Sequence, residues 1–257
     1  MKSFESLFAR LDDLKDCAAR GSLGISAFFS PREVFASIEY LKRSNTTFIA
    51  FGGYEEAERK KIYILPDFID GAEKIDVISD YGFSCEIDCL HVKGSGFEEL
   101  SHRGVMGSVL GLGVERDAIG DIVLIDRSNA IFFCDSKLAP FFEETLERVG
   151  RDKVRVKRVE LNEIVLPERK TLKINDTVAS ARLDCVVAAL CSLSREKAKE
   201  ALSASRVELN YECEERPDKE VTVPATVSVR GIGKFRIISL SDKTKKGRYR
   251  LVAEKFL

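Results

Sequence analysis

The sequence has no apolar run that approaches the roughly 20 residues needed for a bilayer-spanning helix. It also lacks the apolar core of a secretory signal, because its first 20 residues, MKSFESLFARLDDLKDCAAR, already carry several acidic side chains. We therefore expect a cytoplasmic protein that has no membrane partner.

A regular cysteine framework is also missing, since the seven cysteines are odd in number and irregularly spaced. Such cysteines are typical of reduced core residues in a cytosolic chain. Cys85, Cys89 and His91 make one loose set of metal ligands, whereas structural zinc sites use two tight pairs. Phe83 and Ile87 alternate with polar residues around them, which favours a half-buried strand. We expect neither a metal nor a cofactor.

The nucleotide-binding and catalytic motifs of common enzymes are incomplete. The segments GSGFEE, GLGVER and GIGKFR each lack the third glycine of a dinucleotide site, and none carries the Lys-Ser/Thr of a P-loop. Ser101 and His102 are adjacent, but adjacency does not supply the spatial arrangement of a nucleophile, its base and an orienting carboxylate. These absences predict a protein that is not an enzyme.

The net charge of -1 hides a strong asymmetry along the chain. Residues 1–150 contain 17 Lys/Arg and 26 Asp/Glu, whereas residues 151–257 contain 24 and 16. A basic end on an acidic body indicates a polyanion-binding face at that end. Chance clustering of charge is the alternative.

Residues 1–75 are predicted to form a small N-terminal α/β region within an α+β protein. Apolar residues at helical spacing follow Phe4, and a second helix begins at Ser30, an N-cap with Pro31 behind it and Glu33 as the partner of a capping box. TTFIAFGG and IYILP indicate strands, and the charged segment EEAERKK between them indicates a helix.

Residues 76–162 are predicted to form a second α+β module. Its segments alternate as strand, helix, strand, strand, helix, strand, which is a split βαβ pattern. The last strand, KVRVKRVEL, alternates valine with cations. Residues 163–180 are predicted to be an extended connector.

Residues 181–257 are predicted to contain two short helices followed by several strands. The second helix begins at the N-cap Ser194 and buries a stripe of Ala198, Ala201 and Leu202. Arg195 and Lys199 lie together on one flank of that stripe, which suits a helix edge that faces phosphates. A solvated helix face with local ion pairs is the alternative.

The strands of this module add further cations, and two aromatic residues lie among them. Phe235 and Tyr249 offer stacking surfaces for unpaired bases, although core packing is favoured for Phe235. The cations are Arg206, Arg230, Lys234, Arg236, Lys245 and Lys246.

Four segments of the third module together resemble the S4 RNA-binding domain. ARLD opens the pattern with Arg182 and Asp184, SREKAKEAL continues it with Ser194 and Arg195, and RVELN ends at Asn210, followed by VSVRG. Three turn positions depart from the pattern, because Ser205 and Tyr211 stand where glycine is expected and Ala225-Thr226 replaces a Gly-Asp turn. The departures concern loop geometry and leave the helix edge unaffected.

Longer segments resemble the bacterial YlmH family of S4 proteins. SHRGVMGSVLGLGVERDAIGDI and DTVASARLDCVVAAL occur in the same order, and FFSPREVFASI is consistent with the family. The resemblance implies an N-terminal α/β region, an RNA-recognition-like middle module and a C-terminal S4 domain of two short helices and a small sheet. It also implies binding to the large ribosomal subunit and to tRNA in the handling of stalled nascent chains.

We therefore predict a non-enzymatic RNA-binding protein whose partners are ribosomal RNA, tRNA and the large ribosomal subunit. His102 and Arg103 are secondary contact candidates at the start of a helix. The primary candidates are Arg182, Ser194, Arg195, Lys199, Arg206, Asn210, Arg230, Lys234, Arg236, Lys245 and Lys246.

Two alternatives remain open at this level. An RNA-modifying enzyme would carry its catalytic site in the middle module, and a pocket of strongly perturbed titratable groups would favour it. A protein-interaction adaptor would use the acidic N-terminal half to bind a basic partner, and such an activity could coexist with RNA binding.

Overall fold

The computed structural model of the protein contains two compact units, Met1–Pro167 and Glu168–Leu257. Both units mix helices and strands, and the predicted α+β class is confirmed at that level. The structure describes residues 4–69, 74–160, 165–244 and 247–257. Within these ranges, no helix has the length and apolar character required to cross a membrane.

The first unit begins with helices around a three-stranded sheet of order β1-β3-β2. The predicted capping box is confirmed, because Glu33 N donates to Ser30 Oγ while the Glu33 carboxylate accepts from Ser30 N. The elements are α1 (Glu5–Ala19), β1 (Gly24–Ile25), α2 (Pro31–Arg43), β2 (Phe48–Phe51), β3 (Lys61–Ile64) and α3 (Val77–Asp80).

The prediction of a helix at EEAERKK is wrong, since this segment forms turns that lead directly into β3. The Asp121 carboxylate accepts hydrogen bonds from Glu58 N at 2.7 Å and from Arg59 N at 3.0 Å. The Arg59 guanidinium donates to Phe28 O and Ile119 O. These long-range bonds hold the backbone in a conformation that local helix propensity does not favour.

The remainder of the first unit forms a five-stranded antiparallel sheet, the middle sheet, of order β5-β6-β4-β8-β7. Its elements are β4 (Ile87–Gly94), α4 (His102–Gly111), β5 (Ile119–Leu124), β6 (Asn129–Asp135), α5 (Ala139–Thr145), β7 (Arg148–Val149) and β8 (Asp152–Val159). Helices α4 and α5 pack on one face, against apolar residues such as Leu90, Val92, Phe132 and Val156.

The opposite face of the middle sheet is partly covered by the N-terminal region. Phe133 is fully buried there in one core with Phe28 and Tyr63. The Tyr54 ring stacks on the Phe133 ring at 5.2 Å between centroids. A Cβ on Gly53 would lie 2.2 Å from the Phe133 ring, so only glycine fits at this position.

The shared core changes the predicted organisation of this half of the chain. The sequence predicts separate modules over residues 1–75 and 76–162, whereas the structure has one compact unit over Met1–Pro167. The physical reason is that Phe133 projects from the face of the middle sheet opposite α4 and α5. The N-terminal strands cover this apolar face. Sequence pattern alone does not reveal which elements pack on each other.

The second unit is a six-stranded antiparallel sheet of order β11-β10-β12-β13-β14-β9 with two helices. Helices α6 and α7 pack on the sheet face that carries Val207, Val227, Phe235 and Leu251, and the predicted core role of Phe235 is confirmed. The elements are β9 (Thr171–Val178), α6 (Leu183–Leu190), α7 (Arg195–Ser203), β10 (Val207–Leu209), β11 (Glu212–Cys213), β12 (Ala225–Val229), β13 (Gly233–Lys243) and β14 (Tyr249–Phe256).

Strand β9 lies within the stretch 163–180, for which the sequence predicts a connector. It pairs with β14 from Thr171 opposite Phe256 to Val178 opposite Tyr249. Its apolar alternation is weak, since Leu172 is 54% exposed at this sheet edge. Backbone hydrogen bonding to the distant strand β14 therefore makes this segment a strand. Residues 163 and 164 of the predicted connector lie outside the described ranges.

We expect Phe133→Ala to lower the free energy of unfolding of the first unit by about 3 to 5 kcal/mol, because the cavity would separate the sheet from its N-terminal cover. Hydrogen exchange measured by mass spectrometry should accelerate in peptides from both β3 and β6. The control Phe141→Ala, at a ring that is 37% exposed, should cost about 1 kcal/mol or less. Faster exchange in only one of the two strands would contradict the shared core.

Candidate nucleic-acid interface

Two arginines meet at one buried carboxylate where the helices of the second unit begin. Arg182 Nε lies 3.2 Å from Asp184 Oδ1, and Arg195 Nε lies 2.9 Å from Asp184 Oδ2. The Asp184 side chain is fully buried, whereas the Arg182 and Arg195 side chains are 39% and 53% exposed. A guanidinium has five N–H donors, so each arginine keeps donors for a ligand. We call these three residues the Asp184 cluster.

The charges of the Asp184 cluster stabilise each other. Burial alone would raise the pKa of Asp184, but hydrogen bonds from Arg182 and Arg195 outweigh it and hold the pKa below its ordinary value of 3.8. The hydrogen bond to Asp184 raises the pKa of Arg182 in turn. Both arginines therefore stay charged and oriented, which prepares them for an anionic ligand.

Helix α7 continues from this cluster. Ser194 caps it by accepting a hydrogen bond from Lys197 N at 3.2 Å, which confirms the predicted N-cap. The predicted stripe of Ala198, Ala201 and Leu202 is buried, and Lys199 is exposed one turn after Arg195. The hydroxyl of Ser194 thus stabilises the helix terminus, and the cations supply the exposed charge.

Arg206 and Arg230 come together at the end of strands β10 and β12. Arg230 N donates to Arg206 O at 2.9 Å, and both side chains line an open groove of about 610 Å³. Glu208 and the backbone around Gly231 line the same groove. In the described part of the chain, neither arginine has an acidic side chain within 4.0 Å.

Lys234 and Arg236 lie on the sheet face opposite the helices. Strand alternation requires this, because their neighbours Phe235 and Ile237 are buried against α6 and α7. Arg236 donates to Glu254 at 2.7 Å, and both cations approach the Phe256 ring at 5.8 to 5.9 Å. The predicted contact residues therefore do not form a single row.

Asn210 has a structural role in the turn between β10 and β11. Thr226 N donates to its side-chain oxygen at 2.8 Å. Asn210 and Tyr211 both have positive φ, at 51° and 66°, and Ser205 has φ 53°. Ser205 and Tyr211 thus take the left-handed conformation that glycine takes without strain. The turn geometry is kept although the expected glycines are absent.

The acidic loop YECEERPDKE pairs with its own Arg216, with the Ser205 hydroxyl, which donates to Glu215, and with the backbone at the start of α6. Arg216 donates to Glu214 at 2.7 Å, and this hydrogen bond lowers the pKa of Glu214 to about 2. Arg182 contacts the loop through a backbone bridge to Glu220, while its guanidinium pairs with Asp184. Lys245 and Lys246 lie outside the described residues.

The middle sheet carries a group of cations that sequence reasoning did not select. Lys153, Arg155 and Lys157 project from one face of β8, since Asp152, Val154 and Val156 are buried on the other. On the neighbouring strand, Lys93 lies opposite Arg155, and His91 lies opposite Lys157. We call the four cations Lys93, Lys153, Arg155 and Lys157, together with His91 between them, the middle-sheet cationic face.

The signal for this face is present in KVRVKRVEL, whose period of two predicts a strand and also places its cations on one side. Its partner Lys93 cannot be assigned from the sequence, because strand register depends on the fold. His102 and Arg103 are exposed in the first turn of α4, after the N-cap Ser101.

The cysteine and histidine set of the middle module is distributed over the β4 strand and its entry. Cys89 is fully buried, and His91 Nε2 hydrogen-bonds Asn129 Oδ1 at 2.9 Å on the cationic face. Burial raises the pKa of the Cys89 thiol to about 12. Among the described residues, no three His, Cys, Asp or Glu side chains gather into a group that could hold a metal ion.

We expect Asp184→Asn to lower the free energy of unfolding of the second unit by about 1.5 to 3 kcal/mol at pH 7, because the group that accepts three hydrogen bonds from the two arginines loses its charge. The folded-state pKa of Asp184 is depressed, so wild type keeps this stabilisation above pH 3.8 and loses it as the pH falls through the folded-state pKa. Urea unfolding of wild type and variant at several pH values would measure this loss of stability. A difference between wild type and variant that kept its pH 7 value below pH 3 would contradict this account, and the exposed Glu200→Gln is the control.

A family model described as "Putative RNA-binding domain in YlmH" matches residues 83–163, which include the whole middle-sheet cationic face. The chain is 27% identical over 232 residues to "Ribosome-associated protein quality control protein P2" of Bacillus subtilis, covering 90% of this chain and 86% of that protein.

A solved structure titled "Cell division protein ylmH from Streptococcus pneumoniae" shares the fold with a TM-score of 0.50 and 21% identity. The similarity covers 63% of this chain and 92% of that one. The family model and the Bacillus protein agree with the resemblance that the motifs indicated, and the chain is similar to the YlmH family in its middle module.

Proposed function

We propose that the protein binds structured RNA of the translating ribosome, and that its second unit is an S4-type RNA-binding domain. The observation that carries this proposal is the Asp184 cluster, in which one buried carboxylate orients two half-exposed guanidiniums. Lys199, Arg206 and Arg230 add exposed positive charge to the same unit. Such groups bind phosphate oxygens and release counterions when they do so.

The names of the relatives support the proposed class of RNA. The name of the Bacillus protein describes ribosome-associated quality control, and a family model for RNA binding matches the middle module. We therefore infer ribosomal RNA and tRNA on the large ribosomal subunit as the ligands, in the handling of stalled ribosomes in the cytoplasm. The order β4-α4-β5-β6-α5-β8, with the two-residue β7 inserted before β8, supports an RNA-recognition-like middle module.

The proposed mechanism is binding without bond chemistry. Phosphate contacts position a protein on RNA, and the shape of the folded RNA selects the site. Arg182 and Arg195 are held in place before the RNA arrives, so little side-chain entropy is lost on binding. The opposite sheet face, with Lys234 and Arg236, is not required for this contact.

A catalytic middle module is less well supported. In the described ranges, the strongly raised pKa values there belong to Cys89 and Cys134, and burial in the core is the first cause of each. A catalytic site would instead place perturbed groups together in an accessible cleft. An adaptor role of the acidic N-terminal half remains compatible with RNA binding.

We expect the affinity for ribosomal RNA to fall linearly with salt on a double-logarithmic scale, because each neutralised phosphate releases counterions. The variant Lys199→Gln/Arg206→Gln/Arg230→Gln should reduce the slope by about one for each phosphate that it no longer neutralises. Filter binding or fluorescence anisotropy with purified ribosomal RNA and tRNA measures both quantities.

The matched control for this titration removes three exposed cations of the first unit, as Lys42→Gln/Arg43→Gln/Lys137→Gln. It carries the same change in net charge and should keep the wild-type slope. A wild-type affinity that did not depend on salt would contradict the proposed function. Equal losses of affinity in both triple variants would indicate an effect of net charge alone.

Crosslinking in cells followed by sequencing of the attached RNA should recover ribosomal RNA of the large subunit and tRNA. The expectation follows from the inferred ligand class, since a surface that binds phosphates selects abundant structured RNA. The Lys199→Gln/Arg206→Gln/Arg230→Gln variant should reduce these reads, and the Lys42→Gln/Arg43→Gln/Lys137→Gln variant should not. Recovery of messenger RNA alone would contradict the ligand class.

A further inference from the structure

We propose that the middle-sheet cationic face is a second RNA-binding surface, which binds the phosphate backbone and does not stack bases. This inference rests on the proposed function, because it assigns a further contact with the same class of RNA. It assigns individual residues and a binding mode to a module for which the family model indicates only RNA binding.

The geometry of the face brings its cations into adjacent rows. Lys93 of β4 and Arg155 of β8 are directly opposite each other, and His91 and Lys157 form the next row. Lys153 extends the β8 column, and its carbonyl accepts a hydrogen bond from Ser95 N at 3.0 Å. Cross-strand neighbours lie about 4.5 to 5.5 Å apart at their Cβ atoms, so long side chains can reach phosphates along one strand of RNA.

The arrangement is unfavourable for a sheet that binds nothing. Like charges directly opposite each other on a sheet are destabilising. In the described part of the chain, Lys93, Arg155 and Lys157 have no acidic side chain within 4.0 Å to offset this cost. Glu147 lines the adjacent open groove of about 630 Å³ without pairing with them. A polyanionic ligand would remove the repulsion.

The mode of binding follows from what covers the rest of this face. Single-stranded RNA is commonly read by a four-stranded sheet whose aromatic side chains stack on bases. Strand β6 lies beside the central strand β4, and its aromatic residue on this side is Phe133, which is fully buried under Tyr54. The N-terminal cover therefore blocks that stacking position and leaves the cationic rows exposed.

The His91 ring is held between the cations by a series of hydrogen bonds through Asn129 to Asp126. Its Nε2 lies 2.9 Å from Asn129 Oδ1, and Asn129 Nδ2 donates to both oxygens of Asp126 at 2.9 Å. This orientation of the Asn129 amide makes His91 Nε2 the donor. The ring is thus fixed between Ile131 and Lys157, where it spaces the cations and does not neutralise them.

The test compares four full-length proteins on protein-free ribosomal RNA: wild type, Lys93→Gln/Arg155→Gln/Lys157→Gln, the second-unit triple variant, and the combined six-site variant. The middle-sheet variant should bind roughly tenfold more weakly at 0.15 M salt. The slope of its log affinity against log salt concentration should be lower by about one for each phosphate that it no longer neutralises. Its unfolding temperature should equal or exceed that of wild type, because repulsion between like charges is removed.

Two further measurements test whether the face contacts phosphates and not bases. A structured hairpin and an oligo(U) strand of equal length should lose affinity by similar factors in the middle-sheet variant, since both present phosphates. The conservative variant Lys93→Arg/Lys157→Arg should keep wild-type binding, because charge is retained. If the triple variant lowers the unfolding temperature, the single variants Lys93→Gln and Lys157→Gln replace it in the titration.

The outcomes separate this inference from the proposed function. If only the second-unit variant weakens binding, the cationic face does not bind RNA, while the proposed function stands. If wild type itself binds without salt dependence, the proposed function fails first. If the middle-sheet variant keeps its affinity for protein-free RNA but loses affinity for intact ribosomal subunits, the face binds a ribosomal protein and the inference is overturned. The control Lys42→Gln/Arg43→Gln/Lys137→Gln should match wild type throughout.

Discussion

The packing of Phe133 between the middle sheet and the N-terminal region is the interaction on which the first unit depends. It joins residues 1–75 and 76–162 into one core, and it requires Gly53 because no side chain fits against the ring. The same packing removes an aromatic from the exposed part of the sheet. A face that could have read bases is left with lysine and arginine, which favours contact with phosphates.

The second unit depends on a buried charge at the start of its helices. Asp184 is costly to bury alone, but Arg182 and Arg195 satisfy it and become oriented in doing so. The carboxylate therefore stabilises the helix termini and prepares the arginines for a ligand. For the same reason, a substitution at Arg195 alters stability as well as charge, and Lys199, Arg206 and Arg230 are the better probes of RNA binding.

Sequence patterns correctly predict those elements that depend only on neighbouring residues. The capping box at Ser30 and the N-cap at Ser194 require only neighbouring residues, and both are present. The predicted helix at EEAERKK is absent because its backbone donates hydrogen bonds to Asp121, more than 60 residues away, and these hold the segment in a turn. Strand β9 resembles a connector in sequence because its pairing with β14, and not its apolar pattern, makes it a strand.

The sequence by itself determined the basic second unit, the S4-like motifs and the resemblance to the YlmH family, because these depend on residue identity and spacing along the chain. Only the tertiary structure decided which cations share a surface. Strand alternation puts Lys234 and Arg236 opposite the helices, and register puts Lys93 beside Arg155. Both outcomes depend on which strands pair and which face is buried, and a linear pattern of charges does not contain that information.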